Sequence, residues 1–185
     1  MAKTEDRVIV WNSFFALARG EAKKVFETSE NCQTKDSWTP LGGTLPEEKV
    51  HILGTLVLCN IAIEARVNHL IEELLEEKHI SKDVADAARH LSAKHKWFLL
   101  PALAGKSTTL DASAGPHQAI AELCDLRNAC IHVSYDQLLK NLPTARKILS
   151  CFEGFVEAME DLNVVLGRHT ETNPAILRIG KFERV

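Results

Sequence analysis

The sequence predicts an all-α fold, an antiparallel four-helix bundle with one short accessory helix. Three observations carry that expectation. Apolar residues recur at three- and four-residue spacing through long windows, no window shows the sustained alternation that a strand needs, and the windows are separated by breaks marked with Pro and Gly.

Five helical segments follow in chain order. The first, from about Glu5 to Glu27, sets Val8, Trp11, Phe15, Ala18, Ala22 and Val25 on one face. Pro40, Gly42 and Gly43 then make Glu30 to Leu45 a surface loop. Glu47 to Lys78 follows Pro46 and carries Ile52, Leu56, Ile63, Val67, Leu70, Ile71, Leu74 and Leu75, which marks it as the central element. Ser81 suits the N-cap of the short accessory helix, Lys82 to about Ala93, because its hydroxyl can accept from a free amide of the first turn. Between Lys94 and Gly105, Pro101 removes a backbone donor and predicts a break or kink, while Trp97, Phe98, Leu99 and Leu100 read as core closure beneath the flexible loop that runs to Gly115. Pro116 opens a helix expected to continue to about Val133, and Pro143 one that reaches Leu166. Pro174 and Gly180 make Gly167 to Val185 an extended tail. With 185 residues, 45% of them hydrophobic, the chain fits one domain, 1–185, with a core of about 47–166.

Composition narrows the function classes. A formal charge of −3 gives no overall pull on a polyanion, so contact with nucleic acid requires a local basic cluster. The five cysteines, Cys32, Cys59, Cys124, Cys130 and Cys151, are scattered and form no C-x-x-C pair, which reads as apolar filling in a reducing compartment. No H-E-x-x-H, P-loop or G-x-S-x-G motif is present, so the sequence gives no reason to expect a metal or a cofactor. The amino terminus carries acids with no apolar run behind it, and Ile52 to Ala65 is interrupted by Gly54, Asn60 and Glu64, so a soluble, cytoplasmic protein without membrane contact is expected.

The chemistry-bearing residues concentrate in the Pro116–Val133 segment. Ile120, Leu123, Leu126, Cys130 and Val133 form its core stripe, and Asp125, Asn128 and His132 fall along another side at i, i+3 and i+7. Arg127 and His132 are five apart, about 140° around an ideal helix, so they converge on one phosphate only through the length of the arginine or across a partner surface. Glu64 and Asn68, four apart on an apolar helix, share a face. A carboxylate there needs a partner, and Arg127 or His132 is the expected one. His90 and His95, beside Arg89, Lys94 and Lys96, read first as a solvated basic surface and second as a phosphate-contacting patch.

Arg127, four intervening residues and His132, with polar Asn128 directly after the arginine, resemble the arginine-histidine motif of the HEPN superfamily of helical domains. The order of the segments adds to the likeness, since Leu123 to His132 follows a long helix bearing Ile61 to Asn68, and Lys96 to Pro101 is similar to a stretch of uncharacterised members. The resemblance covers about Val50 to Leu166. It implies a metal-independent endoribonuclease, of the toxin or defence-effector kind, working at a homodimer cleft and paired in some systems with a nucleotidyltransferase-type antitoxin. In that reading His132 is the acid/base toward a ribose 2′-hydroxyl, Arg127 holds the scissile phosphate, Asn128 orients one of them, and Glu64, Asn68 and Asp125 support. Two alternatives stand beside it: a structural ion pair of Arg127 with Asp125, Glu122 or Glu64, and a non-catalytic module that binds a nucleotide or a protein partner.

Overall fold

The computed structural model describes residues 3–31, 45–131 and 133–168, and every regular element among them is an α-helix. In order these are α1 (Lys3–Asn31), α2 (Glu47–Glu76), α3 (Lys82–Arg89), α4 (Ala93–Leu103), α5 (His117–Cys130), α6 (Tyr135–Asn141) and α7 (Ala145–Leu166). They pack as a helical bundle around α2, which touches α1, α3, α4, α5 and α7.

The expected apolar stripes build the core, except that Val133, expected in the stripe of α5, lies past the end of that helix and is exposed. Trp11, Phe15, Ala18, Ala22 and Val25 of α1 are buried against α2, with which α1 runs antiparallel: Trp11 lies under Arg66, and Glu21 meets His51. Phe15 stands 5.6 Å edge-on from Phe155 and 6.0 Å stacked on Phe152, which joins α1 to α7. Burial of each ring stabilises by roughly 1.5–3 kcal/mol. Polar groups also cross the interior. Arg66 Nη2 donates to Asn163 Oδ1 at 2.8 Å, and its guanidinium lies 4.9 Å from the Trp11 ring centroid, so a buried charge has both an acceptor and a π face. Asn60 Nδ2 donates to the Leu123 carbonyl at 3.0 Å, pinning α2 to α5. At α4, Trp97 Nε1 donates to His117 Nδ1 at 3.1 Å, which leaves the opposite nitrogen, Nε2, to donate to Asp161 Oδ2 at 2.8 Å.

α2 has the length and apolarity of a bilayer span. In this fold Ile52, Leu56, Ile63, Val67, Leu70, Ile71 and Leu74 of α2 are buried among its five neighbours, while Val50 and Ile61 remain exposed.

The sequence reading misplaced several boundaries. α1 continues to Asn31, past the expected end at Glu27, and residues 32–44 of the expected loop lie outside the described residues, as does the tail from position 169. The segment after Ser81 is two helices rather than one, because Ser92 starts a second: its hydroxyl accepts from His95 N at 3.3 Å. α4 passes through Pro101 unbroken and stops after Leu103. The proline removes one i→i−4 donor near the end of the helix, and the chain leaves the helix soon after it, with Gly105 (φ 68) letting Lys106 N–H reach the Pro101 carbonyl at 2.8 Å. α5 ends at Cys130 rather than near Val133. Ile131 is extended (φ −94, ψ 143), and Ser134, by accepting from Gln137 N, opens the short α6 that periodicity did not reveal.

Candidate functional site

α2, the start of α4 and the last turns of α5 enclose an open groove of about 700 Å³. Five of the six residues singled out from sequence line it: Glu64 and Asn68 from α2, and Asp125, Arg127 and Asn128 from α5. The sixth, His132, lies outside the described residues. Of the three residues expected along one side of this helix, α5 as it stands, ending at Cys130, carries Asp125 and Asn128.

Helix capping and ion pairing position the α4 side of the groove. Ser92, at the N-cap, lies 2.8 Å from His95 Nδ1, and both residues line the groove with Lys94. Lys94 Nζ reaches across to Asp125, 2.9 Å from Oδ1 and 2.8 Å from Oδ2, and closes α4 onto α5. Further inward, Lys96 is 3% exposed and donates to Glu64 Oε1 and, at 2.8 Å, to Asn68 Oδ1; Asn68 Nδ2 adds a 3.2 Å bond to the same carboxylate. This corrects the expected pairing of Glu64 with Arg127: the partner is Lys96. A buried ammonium demands a carboxylate, and packing of α4 on α2 brings Lys96 to Glu64, a pairing that sequence spacing could not reveal.

Arg127 is exposed, and its Nη1 donates to Asn128 Oδ1 at 3.1 Å. Among the described residues it makes no ion pair, so the alternative of a bridge to Asp125, Glu122 or Glu64 is not realised. Those acids are taken by Lys94, Lys147 and Lys96 respectively. Val57, Ile61, Ala65 and Ile131 give the groove an apolar wall. Cys124 also faces it, but burial first, and then the neighbouring Asp125 charge, push its thiol up to about 11, which leaves little thiolate near neutrality. The arrangement therefore offers an anion one uncommitted guanidinium, an amide, an imidazole and a hydroxyl.

Sequence reasoning missed Ser92 as part of this site, and ranked His95, Lys94 and Lys96 low, as a solvated basic surface first. The available signal was Ser92 followed three residues on by a polar side chain, a helix start that would have turned Lys94 and His95 toward a common edge. Among the described residues no three of His, Cys, Asp and Glu gather as metal ligands. A second recess of about 390 Å³ between α5 and α7 holds Glu122, Lys147 and Cys151. Lys147, 2.5 Å away, holds the Glu122 carboxyl below its ordinary range, while burial and Glu122 push the Cys151 thiol up to about 12, so the cluster is an inert bridge between helices. No family model, curated protein or solved structure matches the chain.

Proposed function

We propose that this chain is a metal-independent endoribonuclease of the HEPN type, its helices forming an antiparallel four-helix bundle with accessory helices, its substrate RNA. The observation that carries the reading is the state of Arg127: it stands in an open groove with no ion pair among the described residues, while Lys94 and Lys96 beside it are each matched to a carboxylate. A guanidinium has five donors in a planar fork. With one given to Asn128, the rest suit a phosphodiester, for which the fork geometry is matched. The proton-transfer role of His132 rests on the motif likeness. The reaction is attack of the ribose 2′-hydroxyl on the adjacent phosphorus, with a 2′,3′-cyclic phosphate and a 5′-hydroxyl as products. The same likeness supports a cytoplasmic homodimer with the cleft between subunits, a toxin or defence role, and a nucleotidyltransferase-type antitoxin as partner.

The charge count favours a second reading. Lys94 in the groove and the buried Lys96 are neutralised by Asp125 and Glu64, and the chain carries −3, so a module that holds one nucleotide or a protein segment without cleaving it needs no broader basic surface. Incubation of the purified protein with RNA in EDTA separates the two. The enzyme reading expects cleavage to cyclic-phosphate ends, lost in Arg127→Ala and His132→Ala variants that keep the wild-type circular dichroism and melting temperature. Intact RNA with the wild-type protein, or undiminished cleavage by Arg127→Ala, refutes it.

A further inference from the structure

Resting on the ribonuclease reading, we infer that His95 is a second proton-transfer group of the groove, acting on the RNA opposite Arg127. The chemistry requires two such groups. As the 2′-oxygen bonds to phosphorus its proton must pass to a base, and as the phosphorus–O5′ bond breaks its electron pair leaves on O5′, which must take a proton from an acid. One proton is accepted, one is given, and no electrons are exchanged with any other species. Within one chain the arginine-histidine motif contributes a single imidazole, His132.

The described lining of the groove limits the choice of the other. Glu64 is engaged by Lys96 and Asn68, and both oxygens of Asp125 by Lys94. Burial pushes the Cys124 thiol up to about 11, and lysine and arginine hold their protons near neutrality. His95 is an exposed imidazole in the same lining, and imidazole is the side chain suited to exchanging protons near neutral pH. Its ring is already oriented. Ser92 Oγ sits 2.8 Å from Nδ1, fixing that edge and leaving Nε2 as the exchanging nitrogen, the arrangement in which a held ring nitrogen sets the state of the other. His95 on α4 and Arg127 on α5 both line the groove, and the Lys94–Asp125 bridge ties those two walls together. The charged groups that share the groove with it are Lys94 on its own helix, Glu64 on α2, and Asp125 and Arg127 on α5.

The test is single-turnover cleavage of a saturating mixed-sequence oligoribonucleotide across pH 5 to 9, for wild type, His95→Ala and His95→Gln. The wild type is expected to give a bell-shaped profile. Both variants should fall by about 10²–10⁴-fold, lose one limb of the bell, and in the alanine case regain rate with added imidazole. A His95→Ala enzyme that keeps both limbs, whatever its absolute rate, overturns the inference and leaves the ribonuclease reading in place. No cleavage by the wild type overturns both.

Discussion

Two glycines that look alike in sequence should respond oppositely to alanine. Gly20 lies in α1 with nothing within 4 Å of a Cβ built on it, whereas a Cβ at Gly154 of α7 would stand 2.6 Å from the Ala119 Cβ of α5, closer than such atoms approach one another. Both substitutions gain the helix propensity of alanine, about 1 kcal/mol. Only Gly154→Ala adds overpacking, which costs about 1–3 kcal/mol and meets a backbone-anchored methyl that cannot swing away. Propensity cancels between the two, so the gap measures the packing of α5 on α7. Taking about 2 kcal/mol, the melting temperatures of Gly20→Ala and Gly154→Ala should differ by roughly 4–8 °C for a chain of this size. Urea titrations with unchanged slope would place the effect in stability. Ala119→Gly in the Gly154→Ala background should recover the packing part, less the propensity lost by the second glycine. Equal stability of the two single variants would refute the close approach of α5 and α7, and with it the position of the groove wall that α5 forms.

Other expectations follow from local geometry and charge. α2 and α7 end in the same left-handed turn, with Lys78 (φ 60) in one and Gly167 (φ 70) in the other, so Lys78→Gly should stabilise by about 1 kcal/mol and Gly167→Ala destabilise by a similar amount, read by denaturant titration. Burial raises the pKa of Glu73, but His69, Arg168 and Arg66 together overcome this and hold it below its ordinary 4.5. Its contribution is therefore complete above pH 4.5 and disappears as pH falls through the depressed value. Glu73→Gln should be less stable than wild type at pH 7, and the two should converge at strongly acid pH. Asp125→Asn releases Lys94 into the groove and should tighten binding of a non-cleavable 2′-deoxy oligonucleotide at low salt by up to about fivefold, an advantage that fades at high salt. Weaker binding would mean that Asp125 positions Lys94 for the ligand.

The fold was legible wherever one face of a helix repeats. Trp11 through Val25 and Ile52 through Leu74 gave α1 and α2 because burial on one side leaves a periodic trace. α6 left none: it buries no residue, and only Ser134 with Gln137 three positions on marked its start. That same cap ends the expected Pro116–Val133 helix early, at Cys130. At the site, Glu64, Asn68, Asp125, Arg127 and Asn128 were legible as polar residues on otherwise apolar helices, and the structure gathers them in one groove. Their partners were not, since Lys96 and Lys94 lie 32 and 31 positions from Glu64 and Asp125, a separation that only tertiary packing resolves.

The wall that α2 lends to the groove is also the innermost part of the molecule. With five other helices laid against it, its amide hydrogens between Cys59 and Val67 should be among the slowest of the described residues to exchange. A visitor to the groove thus meets one face whose shape was settled during folding, so the entropy of ordering that face is not charged again on association. Adjustment to differently shaped visitors falls to the other side, where α4 is held by two lysines at the ends of long side chains.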